Sequence, residues 1–514
     1  MSVNLASQRT HSRTTVLLVG ALGCAMTVLD TNVVGIVLPT IARDLNASFA
    51  DIEWVISTYV LCFSALLLPA GSIADRYGRK RVFLCGIASF ALASFACGMA
   101  PTAAALYLAR GAQGVGAAFL LAPALAIIGH AFHEESARAR AWAVWGAIMG
   151  LTMVLAPLIG GAINVLLGWR WAFHINVPIC AALALAVVGV IDESRDPTPR
   201  PLDFAGIVLF AGGMFAFTWA LIVGPVHGWG SADFLLRLVA GLALFLGFGQ
   251  VERRGRHPML DLSLFASPAF VGAVIAMLAY AASAQVMASL LPLFLQNARG
   301  KTAMGAGLGM LPFAVAMLVL PQVGRRLSTR FKSYQILAAG LAMAGLGNLA
   351  MMAAARQHSP FMLMLAMAVL GSGGGLLNGE TQKAIMGTVP RHRAGMASGI
   401  STTARFSGIL LGFASLGAVL AGGVQRAIQA GLQGAGVATA PGFADAVAAG
   451  DLSRALDMYP SALGGVLTAL ARDSYGAGFS NAFLMAAVIS LLASAAVYLL
   501  MRGEAEGKAT RRVA

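Results

Sequence analysis

Apolar stretches close to 20 residues long recur from one end of this 514-residue chain to the other. At about 1.5 Å of rise per residue, each can cross a hydrocarbon core of roughly 30 Å as a helix. The pattern predicts spans at 15–38, 53–74, 82–100, 103–129, 141–163, 171–191, 204–223, 234–250, 268–294, 303–323, 334–355, 361–382, 395–423 and 479–501. Only 11% of the residues are charged and 58% are apolar, which leaves too little charge to cover a water-facing surface. The expected fold class is an all-α membrane protein with 14 transmembrane helices, whose surrounding medium is the lipid bilayer.

Lysine and arginine order these spans. With the N-terminus placed inside, 24 of the 35 basic residues fall on inner segments, 8 on outer segments and 3 within spans. A threefold excess on one face fits cytoplasmic termini in a bacterial inner membrane. The net charge of +14 does not imply nucleic acid as a partner, because the charges sit in short clusters between apolar runs. The N-terminal segment carries Arg9 and Arg13 without a small-residue cleavage site, and reads as an anchor rather than a signal peptide. Cys24, Cys62, Cys85, Cys97 and Cys180 lie in apolar runs without metal-ligand spacing and read as small buried hydrophobes.

Two weak repeats share nearly one offset. IADRYG at 73–78 matches LSTRFK at 327–332, and RAWAVWG at 140–146 matches RAGMASG at 393–399. They imply two homologous six-helix halves, residues 1–200 and 257–514, with two inserted helices in 201–256. Residues 424–478 would form a long extracytoplasmic hairpin or cap, with 444–458 and 461–472 as amphipathic helices.

Charges inside spans are costly and mark functional sites by default. Asp30 lies about 21 Å from the inner face and Arg110 about 10 Å below the outer one, at nearly equal depth. An arginine that keeps its proton holds a nearby carboxylate charged, while burial opposes that charge. Asp30 is thus the candidate proton or cation site, with Arg110 tuning it and Gln113 one turn away on the same face. Arg405, near mid-depth without an evident acid, is a candidate anion or substrate group. Glu380 reads as a solvated helix end near the inner face. Asn176, Gln285 and Asn378 are further polar candidates. Gly146 and Gly150 form a GxxxG pattern, and Gly160 and Gly161 follow Pro157, which suggests close helix packing and a bend.

The segment GSIADRYGRKRVF at 71–83 joins the second and third spans. Gly71 permits a close helix contact and Gly78 a tight turn. Asp75 can cap a helix or pair with arginine, and Arg76 and Arg79 can reach anionic headgroups. This loop resembles the signature loop of the major facilitator superfamily. LDTNVVGIVLP (29–39), LYLARGAQGVGAA (106–118), MGLTMVLAPLIGG (149–161) and WRWAFHINVPI (169–179) resemble motifs of its 14-helix drug:proton antiporters, the EmrB/QacA type. Ala156 replaces the glycine usual before Pro157. In the second loop copy, Thr329 and Lys332 replace the acid and the glycine. The resemblance implies a conformational gate at Gly71, Asp75, Arg76, Gly78 and Arg79. It also implies a hinge or seal at Gly146, Gly150, Pro157, Gly160 and Gly161.

No phosphate-binding loop such as GxxxxGK[ST] is present, so ATP is not the expected energy source. Neither a cofactor nor a metal is expected, and a catalytic set is not evident. The function expected is proton-driven export of a small hydrophobic or amphiphilic substrate. The alternative is a facilitator importing a nutrient or organic anion. A periplasmic adaptor and outer-membrane channel are conceivable further partners.

Overall fold

The computed structural model describes residues 13–132, 134–195, 203–255, 262–357, 359–389, 394–435, 437–438 and 440–513. Among them the regular structure is entirely helical. Fourteen helices are long and apolar enough to cross a membrane. In chain order they are α1 (Arg13–Asp44), α2 (Phe49–Tyr77), α3 (Arg79–Gly98), α4 (Ala103–Ala131) and α5 (Glu135–Leu166). Next come α6 (Trp171–Val190), α7 (Phe204–His227), α8 (Ala232–Arg254), α9 (Pro268–Ala298) and α10 (Ala303–Leu327). The last four are α11 (Ser333–Arg356), α12 (Pro360–Thr388), α13 (Ala394–Gly434) and α14 (Gly464–Val513). With an even number of spans, the start of α1 and the end of α14 lie at one end of the bundle, called the inner end below.

In lipid every backbone group must find its partner within the protein, so these segments coil into helices even around Pro39, Pro69, Pro123 and Pro157. Side chains satisfy the first amide groups where helices begin. Ser48 and Asp51 form a capping box on α2, and Thr102, Ser231, Thr302 and Ser359 cap α4, α8, α10 and α12.

Two sets of helices, α1–α6 and α9–α14, each pack tightly within themselves. Bare glycine backbones set the closest approaches. A methyl group at Gly114 of α4 would lie 2.3 Å from the Tyr59 carbonyl oxygen of α2, and one at Gly116 would lie 2.6 Å from the Phe90 nitrogen of α3. In the second set a methyl at Gly371 of α12 would lie 2.4 Å from the Phe313 carbonyl oxygen of α10, and one at Gly373 would lie 2.5 Å from the Ala344 nitrogen of α11. Each central helix thus touches its two flanking helices through glycines two positions apart. This repeat in the packing is clearer than the loop repeat seen in the sequence. The loop copies do sit alike, at the α2–α3 and α10–α11 junctions. The 393–399 copy has side chains outside the described residues.

α7 and α8 pair with each other, and α7 lies against both α2 and α13, one helix from each set. Trp54 of α2 packs on Phe215 and Trp219 of α7, with ring centroids 5.8 and 6.4 Å apart.

Of the two forms expected for 424–478, the structure has the cap rather than an open hairpin, with short helices in the 444–458 stretch. α13 continues to Gly434, α14 already begins at Gly464, and the short helices Phe443–Ala449 and Leu452–Leu456 fill the gap. Phe443 is fully buried there, and Arg454 donates to the Asn46 carbonyl at 3.0 Å. The small apolar residues of this stretch extend the helices rather than break them, and the cap rests on the outer end of α1.

Substituting Gly114→Ala or Gly371→Ala should each lower stability by about 1–3 kcal/mol through overpacking. Gly379, with open space around it, should accept alanine without loss. Thermal unfolding of the purified protein in detergent checks all three.

Candidate functional site

α1, α4 and α6 bring four polar side chains to one point within the first set, and α3 adds a fifth. Arg110 Nη1 donates to Asp30 Oδ2 at 2.6 Å. Gln113 Nε2 and Asn176 Nδ2 donate to Asp30 Oδ1 at 2.8 and 2.9 Å. Both amides also donate to the Ser94 hydroxyl, at 3.1 and 2.9 Å, and that hydroxyl donates to the Phe173 carbonyl at 3.0 Å. Arg110 further reaches the Gln113 amide oxygen and the Val55 carbonyl, at 2.6 and 3.2 Å. Its guanidinium lies over the Tyr59 ring, 4.1 Å from the centroid. Asp30, Arg110, Gln113, Asn176 and Ser94 are at most 1% exposed.

The helical spacing explains the convergence. Arg110 and Gln113 are one turn apart on α4, so both project toward α1. Asp30 interrupts a long apolar run, and only partners on neighbouring helices can satisfy it. The sequence singled out Asp30, Arg110 and Gln113 together and named Asn176 as a candidate. Ser94 carried no signal, since a serine in a span is usually bonded to its own helix.

Buried opposite charges of this kind resist separation. Removing one partner strands the other without water and costs about 3–5 kcal/mol. A narrow crevice between the sets, lined by Thr31, Gly35, Tyr59, Ser289 and Phe413, reaches Arg110 from the opposite side.

Arg405 on α13 has a different environment. Its Nε donates to the Gln285 amide oxygen and its Nη2 to the Asn378 amide oxygen, both at 3.0 Å, and Tyr280 lies alongside. Among the described residues no carboxylate pairs with it. It is half-buried and electrically uncompensated.

At the α2–α3 junction, Asp75 accepts from Arg79 at 2.8–2.9 Å. Gly78 adopts φ +115°, a backbone that only glycine takes without strain. Glu193, just beyond α6, packs against it and accepts the Lys80 and Arg81 amides at 3.1 and 3.2 Å. A carboxylate at the free N–H groups of α3 is stabilised by the helix dipole. Sequence reasoning missed Glu193, which lies more than 100 positions from its partners. Arg76 is exposed beside Tyr77. Gly71 makes no close contact: a methyl there would meet Ala122 at an ordinary 3.9 Å. The close helix approach expected at Gly71 is therefore not needed in this arrangement.

The α5 glycines also divide differently from expectation. A methyl at Gly146 would meet nothing, and one at Gly150 would meet only a Leu318 methyl, at 3.3 Å. The GxxxG pair is not a tight packing surface here. The tight crossing lies further out, where a methyl at Gly161 would lie 3.1 Å from the Ala303 carbonyl oxygen and one at Gly307 of α10 would lie 2.8 Å from the Pro157 carbonyl oxygen. Gly160 rests on Val33 and Ile36 of α1. Glu380 is not a solvated end: it is 8% exposed, accepts from Ser333 and pairs with Lys383 at 3.2 Å.

The described contacts between the two sets run from mid-bundle to the outer end. Phe63 meets Phe406 edge-on at 4.2 Å, Gln296 donates to the Ile36 carbonyl at 3.0 Å, and α5 crosses α10 at Gly161 and Gly307.

Two six-helix sets meeting along a membrane-spanning seam, with charge buried beside it, are the architecture of a secondary transporter. The chain belongs to the Major Facilitator Superfamily, whose family model matches residues 20–413. It is 35% identical over 420 residues to the multidrug resistance protein Stp of Mycobacterium tuberculosis, covering 81% of this chain and 78% of that protein. It is 31% identical to the multidrug efflux pump LfrA of Mycolicibacterium smegmatis, covering 97% and 98%. The tetracenomycin C resistance and export protein of Streptomyces glaucescens is 30% identical, with 96% and 92% covered. Among solved structures, the fold is shared with an inward-facing bacterial homologue of the lysosomal transporter Spinster. That match has a TM-score of 0.65 at 19% identity over 97% of this chain and 98% of that one.

Arg110→Met should destabilise the protein by about 3–5 kcal/mol by stranding Asp30. Adding Asp30→Asn should recover a large part of that loss. Melting temperatures of the single and double variants in detergent report the coupling.

Proposed function

We propose that this chain is a proton-driven antiporter that exports small hydrophobic or amphiphilic compounds across the bacterial inner membrane, with both termini cytoplasmic. The observation that carries the reading is the Asp30–Arg110 pair, a titratable acid sealed inside the first set and facing a permanent cation. The relatives named for drug resistance and export support the direction of transport. The excess of basic residues at the inner end supports the orientation.

Protonation of Asp30 removes the charge that balances Arg110. A lone guanidinium in that dry site is unfavourable, so the first set must rearrange to give Arg110 water or cargo. Return of the proton to the cytoplasm restores the pair. A swing of several kcal/mol on this scale moves a two-state equilibrium from one side to the other. In this reading the Gly78 turn and the Asp75–Arg79 pair hold the inner gate loop, and the Pro157–Gly161 crossing seals the outer end against leak.

Arg405, with only amide oxygens and a tyrosine ring around it, supplies a cationic subsite for cargo. It favours neutral and acidic amphiphiles over cations. An adjacent acid would have cancelled that preference.

Everted vesicles separate export from the importing alternative. With an acid lumen, an exporter accumulates its drug inside, and an importer does not. Asp30→Asn should reduce this uptake to the level of vesicles lacking the protein, while the protein stays in the membrane. Full proton-driven uptake by that variant would sink the assignment of Asp30. Arg405→Gln should raise KM for a carboxylate-bearing cargo by about 10-fold or more, the loss of a charged hydrogen bond. An uncharged cargo of similar size should be unaffected.

A further inference from the structure

A second acid lies in the seam itself. Glu53 sits in the second turn of α2, near the outer end, and is 7% exposed. Its side chain crosses the seam to α13. One carboxylate oxygen, Oε1, lies 1.4 Å from where a methyl group at Gly417 would be, so it occupies the space left by that missing side chain. The neighbouring Trp54 packs on Phe215 and Trp219, so α7 covers the seam at this level.

Among the described residues nothing donates a hydrogen bond to Glu53 and no cation pairs with it. Every helix packed on α2 carries groups that answer to other partners. On α1, Asp30 binds Arg110, Asp44 binds Arg170, and Arg43 approaches Asp451. On α4, Arg110 is taken by Asp30, and His130 lies toward the inner end; Tyr107 accepts from Thr58 through its carbonyl. The basic residues of α3 are at the inner end, with Glu193. On α13, Arg405 holds Gln285 and Asn378, and Arg426 donates to the Gly422 carbonyl. Asp445 of the short helix Phe443–Ala449 accepts from Gln425, and His227 of α7 is exposed. On α2 itself, Asp51 closes the capping box and Asp75 pairs with Arg79.

A carboxylate stripped of water and left without a donor is strongly unfavourable, whereas a carboxylic acid in the same place is tolerated. The same group at an open outer seam would face water and ionise freely. We propose that Glu53 is a second proton-binding site, which must take up a proton from the outer side for the outer seam to close on Gly417. Closing then consumes one proton and opening releases it. The seam is a proton-operated latch whose acid is distinct from the Asp30–Arg110 pair and lies nearer the outer end of α2. The proposal extends the antiport reading, yet its readout requires no cargo.

The test measures the width of the outer seam against pH in the full-length protein in lipid nanodiscs. Nitroxide labels are attached through ketone-bearing amino acids at Ala50 and Gln429, on the outer parts of α2 and α13, and their separation is read by pulsed electron resonance. The closed state binds the extra proton, so raising pH favours the open state. Above the midpoint, the open-to-closed ratio of the wild-type chain should rise about tenfold per pH unit, the slope for one proton. Glu53→Gln, which mimics the protonated acid, should stay closed at all pH values. Glu53→Asp should retain a pH response. Gly417→Ala, whose methyl displaces the carboxyl, should shift the population toward open even at low pH.

A pH response in Glu53→Gln equal to that of the wild type would overturn the proposal. So would loss of the response in Asp30→Asn with Glu53 intact, since the sensor would then be the deeper pair. If export fails in the vesicle assay but the latch titrates as described, the antiport reading falls and this one stands.

Discussion

The ion pair between Asp30 and Arg110 governs the first set of helices. In a hydrocarbon layer neither charge has access to water, so each must be balanced by protein. Asp30 accepts from Arg110, Gln113 and Asn176, and the two amides share Ser94. Four helices are thereby fixed relative to one another by a network in which every member is satisfied. Such networks specify one arrangement, because a shift of any helix leaves a buried group unpaired. Apolar packing alone gives much less selectivity in lipid, where the surrounding chains are as apolar as leucine.

Packing within the sets and packing between them follow different rules. Inside each set, glycines of α4 and α12 let backbones approach to distances that no side chain tolerates. Between the sets the contacts are fewer and concentrated from mid-bundle outward. The Pro157–Gly161 stretch crosses Ala303 and Gly307, Phe63 meets Phe406, and Glu53 meets Gly417. In the proposed cycle the two sets move as bodies about this seam. The α7–α8 pair spans both sets on the lipid side, which covers the polar atoms of the seam without crossing it.

Much of the membrane architecture was legible because hydropathy is a long-range average. Spans of 20 apolar residues survive errors of a few positions, and the basic loops carry a redundant count. Asp30, Arg110 and Gln113 were legible for the opposite reason: single polar residues stand out in an apolar run. What was not legible depends on contacts between distant segments. Glu53 fell on the predicted edge of the second span, where an acid reads as solvated, and only the fold places α13 over it. Glu193 sits in a loop of mixed charge, and its role depends on α6 delivering it to the start of α3. Gly146 and Gly150 have a packing motif's spacing, but Gly146 faces open space and Gly150 only a leucine side chain, and the close backbone crossing falls at Gly161 and Gly307. The 424–478 stretch looked like a loop because its Ala and Gly residues lower hydropathy without stopping a helix.

In the proposed scheme the distribution of charge across the seam orders the steps of the cycle, while the proton gradient sets its direction. The first set is internally neutral at Asp30 and Arg110, while the second contributes an uncompensated Arg405. A cargo bearing an acid would be held by Arg405 while the outer end is shut and Glu53 is protonated. When the outer seam opens in the proposed scheme, Glu53 ionises and places a negative charge on the first set beside the exit. That charge repels an acidic cargo toward water and disfavours its return. The cation near mid-bundle and the acid near the rim would thus act in sequence, one to retain cargo and one to discharge it. The proton taken up at Glu53 on closing resets the rim before the next cargo enters.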